Sequence, residues 1–140
     1  MAQAKQYTSL REKIAAEKRE RAERYAGFAA LFDNAARIGF EAGRNADPAP
    51  MAVYNPASDK TDVVSEGPCG FAWVTIRPGN GSFARFLVKE NLARRAYYGG
   101  VEIWISAHNQ SYARKMENAR AMAQHLRNAG IEAFPGGRLD

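Results

Sequence analysis

Between Phe71 and Phe134 the apolar residues change period four times, and that order limits the chain to a few layered folds. Phe71 to Arg77 alternates, with Ala72, Val74 and Ile76 on one side and Phe71, Trp73 and Thr75 on the other. Bulk on both sides predicts a central strand. Ser82 then caps a helix whose apolar face is Phe83, Phe86 and Leu87, ending near Asn91. A connection, Ala93 to Gly100, leads to a second strand over Val101–Ser106. Ser111 caps a second helix with Tyr112, Met116, Ala119, Ala123 and Leu126 on one side. Gly130 stands where a helix C′ glycine belongs. Ile131 to Phe134 is a third strand, followed by the tail "PGGRLD".

Strand, helix, strand, helix, strand predicts two βαβ crossovers in an α/β or α+β unit. If both crossovers are right-handed within one sheet, the three strands are parallel. The segments after each strand then gather at one sheet edge, where open α/β sheets bind ligands. That edge would hold Arg77, Gly79, Asn80, Gly81, Ser82, Ser106, His108, Asn109, Gln110 and Arg138. An antiparallel or ferredoxin-like arrangement would scatter them.

The chain before this unit is of another kind. Ser9-Leu10-Arg11-Glu12 reads as a capping box, and a helical pattern follows to about Gly43, with no proline before Pro48. Its first half, "REKIAAEKRERAER", alternates in sign, as a solvated helix does. Its second half carries Tyr25, Phe28, Phe32 and Ile38 among small residues. Ala15, Ala22, Ala29, Ala36 and Gly43 recur every seven positions and form a stripe that lets another backbone approach. Such a stripe serves a close-packed helix pair, within the chain or between copies; alternatively, residues 25–43 cover the sheet of the C-terminal unit. Residues 45–66 are irregular and rich in proline, with short edge strands at Met51–Tyr54 and Thr61–Ser65 joined by a hairpin loop. The predicted organisation is therefore a helix over 1–44, a linker with edge strands over 45–66, and a compact domain over 67–140.

A chain of 140 residues fits one such domain with an appended helix. The formal net charge of +5 admits an anionic partner. Residues 45–66 hold one Lys against four acids, whereas 67–140 hold ten Lys/Arg against five acids, so an anion surface is expected in the C-terminal domain. No apolar run reaches the ~18 residues of a membrane span, and the first residues lack the apolar core of a secretory signal. A cytoplasmic protein, of a cell or of a virus within one, is the expectation, with no membrane partner. One cysteine and two histidines, far apart, argue against a disulfide or a structural zinc site.

Gly79-Asn80-Gly81-Ser82-Phe83-Ala84 matches G-x-G-x-x-A between a strand and a helix, a place where free N–H groups favour an anion. Arg77 stands beside it as a charged fork. The chain is too short for two mononucleotide-binding halves, and no Lys-Ser or Lys-Thr makes it a Walker loop, so the alternatives are generic anion binding and a simple turn. Arg94, Arg95, Tyr97 and Tyr98 mix cations with aromatics, which suits phosphate contacts with base stacking; equally, the tyrosines would anchor the loop to the core. Cys69 with His108 or His125 as base would make a nucleophile pair, but a lone cysteine between glycine-rich neighbours is more often a small buried residue. Without paired carboxylates or a placed acid beside histidine, the balance leans away from an enzyme, and no cofactor is implied.

"CGFAWVTIRPGNGSF", "YYGGVEIWIS" and "GIEAFPGGRLD" resemble segments of small uncharacterised proteins encoded by tailed bacteriophages, over about residues 63–140. The resemblance implies an accessory factor that binds host proteins, nucleic acid or signalling nucleotides, or else a virion component; it assigns no site residues. Two functions follow as expectations. One is a non-enzymatic accessory protein binding a nucleic acid or nucleotide through Arg77, Gly79–Ser82, His108, Asn109 and Arg138, assisted by Arg94 and Arg95. The other is a structural protein whose N-terminal helix assembles copies or docks on a host or virion protein.

Overall fold

The computed structural model describes residues 9–140; the first eight residues of the segment assigned to the N-terminal helix, 1–44, lie outside them. Ser9 opens α1 (Leu10–Arg44), its Oγ accepting a hydrogen bond from the Glu12 N–H at 3.2 Å. The two halves of α1 meet different surroundings. Leu10 and Ile14 are exposed, as are the charged residues around them. From Tyr25 onward the apolar side chains pack. Tyr25 meets Phe86 edge-on at 5.5 Å between ring centroids, and Phe28 meets Phe83 at 5.5 Å, both on α2 (Ser82–Lys89).

Ala35, Gly39 and Gly43 are buried where α1 lies on α3 (Tyr112–Asn128). A Cβ on Gly39 would stand 2.8 Å from the Asn118 carbonyl oxygen, and one on Gly43 2.8 Å from that of Arg114. Small residues thus do bring two helix backbones together, within the chain. The row they use is Ala35–Gly39–Gly43, four apart, rather than the sevenfold series, whose Ala15 and Ala22 are exposed. Arg114 locks the end of this contact. Its guanidinium donates to the carbonyl oxygens of Gly43, Arg44 and Ala46 at the α1 C-terminus and bonds the Glu66 carboxylate at 2.5 Å.

β1 (Met51–Asn55) and β2 (Lys60–Val64) form the expected antiparallel hairpin, almost wholly exposed. The rest of the chain builds a four-stranded sheet from β3 (Gly70–Arg77), β4 (Arg94–Arg95), β5 (Val101–Trp104) and β6 (Glu132–Leu139), in the order β4-β5-β3-β6. Every neighbouring pair is antiparallel, so the sheet is not the parallel one that two simple crossovers predict. The reason lies in β4. Only two residues long, it turns straight back so that Arg95 pairs with Val101, and β5 enters between β3 and β4. Each helical crossover therefore skips a strand, giving the β-α-β-β-α-β split, or ferredoxin-like, arrangement of an α+β fold.

The end of the chain also differs from expectation. β6 continues through Pro135-Gly136-Gly137 to Leu139, pairing with all of β3. An edge strand tolerates the proline because one side of its backbone needs no ladder partner. The core lies between one sheet face and the helices. Ala72, Val74, Ile76, Val101, Ile103 and Ala133 from the sheet are buried against Phe83, Phe86 and Leu87 of α2 and against Met116, Ala119, Met122, Ala123 and Leu126 of α3. Among the described residues no helix is long and apolar enough to cross a membrane.

Candidate functional site

Alternation along β3 sends Ala72, Val74 and Ile76 into the core and Phe71, Trp73 and Thr75 to the opposite face, which stays half-exposed. Trp104 and Glu102 of β5 reach this face beside them, since Trp73 pairs with Trp104 and Thr75 with Glu102. Arg138, Gly136, Phe134 and Glu132 of β6 reach it on the other side. An aromatic floor results. The Trp73 and Trp104 rings lie 4.9 Å apart at 30°, and Phe71 meets Trp104 edge-on at 6.1 Å. Gly136 leaves room for this: a Cβ there would fall 2.6 Å from Trp73 Nε1. Phe134 is 43% exposed, a large apolar ring left in solvent.

Cations rim the floor. The Arg94 guanidinium lies 4.2 Å from the Trp104 ring centroid and that of Arg138 5.4 Å from the Phe71 centroid. Lys115 of α3 is buried, 6% exposed, with its Nζ 5.7 Å from the Phe71 ring centroid, and so belongs to the interior rather than to the open rim. A depression of about 410 Å³ beside Trp104 is walled by Arg94, Glu102 and Asn91–Ala93. The face also holds acids: Glu102 is opposite Arg94 and Glu132 opposite Arg77. Trp104 Nε1 is buried with no hydrogen-bond partner among the described residues.

The antiparallel sheet divides the residues that a parallel one would gather. Arg77, Gly79, Asn80, Gly81 and Ser82 follow β3 at one end of the sheet, and Arg94, Arg95, Tyr97 and Tyr98 join them there through the β4–β5 turn. Arg138 pairs with Phe71 at the other end, where β5 also runs out toward His108 and Asn109. The two ends are about 20 Å apart, the length of β3. No single edge pocket therefore unites Arg77 with His108, Asn109 and Arg138.

The glycine loop has an evident packing role. Arg77–Pro78 is a cis peptide, the Gly81 N–H donates to the Pro78 carbonyl at 3.1 Å, and Arg95 donates to the Gly79 carbonyl at 3.3 Å. A Cβ on Gly79 would stand 3.2 Å from the Gly100 Cα, so the glycine lets two loops touch. Gly81, not Ser82, is the N-cap of α2, and no side chain caps that helix. Tyr97 and Tyr98 are 93% and 89% exposed, so they do not anchor their loop to the core. Their rings meet edge-on at 4.9 Å.

His108 has a different part. It stacks on Phe40 at 5.2 Å, and its Nε2 lies 3.1 Å from Asn118 Nδ2, joining α1 to α3. With the amide nitrogen facing it, Nε2 is the acceptor of this contact. Desolvation and the charges of Arg114 and Lys115 lower its pKa against the opposing pull of Glu66. Cys69 is exposed rather than buried, and no hydrogen bond joins it to His108 among the described residues. Among those residues no group of three or more His, Cys, Asp or Glu side chains is placed to hold a metal ion.

The aromatic floor escapes the sequence pattern because bulk on both sides of β3 reads as burial on both sides. A subtler signal was present. One side of the strand is aliphatic and small, the other aromatic with threonine and arginine. Comparison with protein-family models, with curated proteins and with solved structures gave no match.

Proposed function

We propose that this protein is a non-enzymatic binder of single-stranded nucleic acid and that the open sheet face is its interface. The observation that carries this reading is the aromatic floor of Phe71, Trp73 and Trp104 with two guanidiniums laid on its rings. Flat rings on an exposed sheet stack on unpaired bases whatever their sequence, and cations at the rim meet the phosphates that follow the bases. A strand crossing the sheet along β3 runs from Tyr97, Tyr98, Arg95 and Arg77 at one end to Arg138 at the other. The sequence-derived candidates at both ends thus become the two ends of one track. The glycine loop acts as a turn in this reading and His108 as a structural pin.

The test is a fluorescence titration of the purified protein with a labelled oligothymidylate over a range of salt. Tight binding that weakens with salt is expected, because each neutralised phosphate releases counterions. Trp73→Ala should weaken it by about tenfold or more, the worth of one stacked base. Arg94→Ala should flatten the salt dependence by about one charge. Undiminished binding by Trp73→Ala, or no binding at low salt, refutes the proposal. So does a homodimer that buries Trp73.

A second reading rests on the first half of α1, where Leu10 and Ile14 are 73% and 57% exposed on a charged helix. Those residues suit docking on a host or virion protein, or assembly of copies. Removing residues 1–17 abolishes such assembly or docking and leaves oligonucleotide binding intact.

A further inference from the structure

On the helical side of the molecule, away from the open sheet face, α1 and α2 part above their aromatic contact and leave a cleft of about 380 Å³. Arg21 and Arg24 line it from α1, Arg85 and Lys89 from α2, with Ser82 at one end and Tyr25 in the wall. No carboxylate lines it. Helix geometry explains the convergence. Arg21, Arg24 and Tyr25 share a face of α1, as Ser82, Arg85 and Lys89 share a face of α2, and the ring contacts of Tyr25 and Phe28 with Phe86 turn those faces together.

This arrangement runs against the rest of α1. Over residues 11–20 the helix mixes Arg and Lys with Glu, as a solvated helix does. At the cleft the pairs Arg21/Arg24 and Arg85/Lys89 set like charges three and four residues apart, a spacing that repels, and then point both pairs at one space. An anion there would reverse the sign of that interaction. Guanidinium forks match phosphate oxygens in pairs, and Ser82 adds a hydroxyl donor. Lys89 Nζ, 4.9 Å from the Tyr25 ring centroid, is held over the wall rather than pointing away. Four cations exceed the need of a single phosphate.

We propose that the α1–α2 cleft binds a ligand carrying consecutive phosphate groups through Arg21, Arg24, Arg85 and Lys89. The source is either a free polyphosphate, such as the tail of a nucleoside triphosphate, or successive backbone phosphates of a nucleic-acid strand. The site does not rest on the sheet-face proposal, since it shares no residue with it.

Inorganic tripolyphosphate titrated calorimetrically into the full chain at low salt tests this. A saturable one-to-one isotherm is expected. Arg24→Gln/Arg85→Gln should weaken it by about tenfold or more, and Arg21→Gln/Lys89→Gln should do the same; all four side chains are exposed, so neither pair disturbs the core. Trp73→Ala should leave the isotherm unchanged. Repeating the titration with oligothymidylate already bound separates the sources. Loss of tripolyphosphate binding assigns the cleft to a strand backbone, and retention assigns it to a free phosphate ligand; both uphold the site. Absence of saturable binding, or full affinity in both double variants, overturns it. Tripolyphosphate binding without any oligonucleotide binding would uphold the cleft while refuting the sheet-face interface.

Discussion

The two faces of β3 are made by alternate residues of one strand, yet they have different chemistry. Ala72, Val74 and Ile76 are at most 2% exposed, aliphatic, and sealed under α2 and α3. Phe71, Trp73 and Thr75, their immediate neighbours, form part of an open surface where rings lie against rings and guanidiniums against rings. The covered face has the side chains that fill volume without polar atoms. The open face has side chains with more flat area than its partial burial requires, beside charges held on them. A face needed only to close the fold has no use for half-exposed indoles with arginines laid on them. The contrast therefore separates residues that fill the core from residues that line an open surface, within eight positions of sequence.

The strongest way to break that contrast is to truncate one residue of each face. Ile76→Ala removes a buried side chain and opens a cavity, at a cost of about 3 kcal/mol and a fall in Tm of about 10 °C. Trp73→Ala removes a larger side chain yet should cost only about 1–2 kcal/mol, because its ring is half in solvent. Thermal denaturation of the two variants decides the matter. Equal losses would mean that the open face is a second core, covered in solution by another copy or by another part of the chain.

A finer comparison uses adjacent glycines of β6. Gly137 faces the helices, where an added Cβ would meet Met116 Sδ and stand 2.8 Å from the Phe71 carbonyl oxygen. Gly136 faces the open side, where the nearest atoms belong to the Trp73 indole alone. Gly137→Ala is therefore expected to destabilise by about 1–3 kcal/mol, since backbone and buried sulfur cannot both give way. Gly136→Ala should cost less in stability but displace the indole, seen as a shifted tryptophan emission and weaker oligonucleotide binding. A reversal of that order would mean that Trp73 is held as firmly as the core.

Most elements were legible in the sequence because each rests on local chemistry. Ser9 and Ser111 cap their helices, Gly130 turns out of α3 at φ +88°, and the hairpin of β1 with β2 forms as its turn residues suggest. The sheet's direction was not legible, because it depends on β4, two arginines with no strand pattern of their own. With the direction went the gathering of the site. Arg77 and Arg138 are both on the sheet, but at opposite ends of it. The cation cleft was hidden for a similar reason: Arg21 and Arg85 are far apart in sequence, and only the packing of Tyr25 and Phe28 on α2 makes them neighbours.

The smallest expected effect concerns His108, which separates the helical side of the molecule from the sheet face by its response to pH. Desolvation by burial, with the nearby Arg114 and Lys115 and against the pull of Glu66, holds its pKa below the ordinary histidine value. The folded protein thus binds a proton there less readily than the unfolded chain, so stability is fully present above pH ~6.5 and declines as pH falls through the depressed folded value. The melting temperature should therefore drop between pH 7.5 and 5 by more in the wild type than in His108→Gln, which keeps a neutral polar group at the α1–α3 junction. Oligonucleotide affinity at fixed salt should not follow the same curve, since no histidine lies on the sheet face. If the two profiles coincide, the junction and the face are coupled, and the independence of the two sides of the sheet is lost.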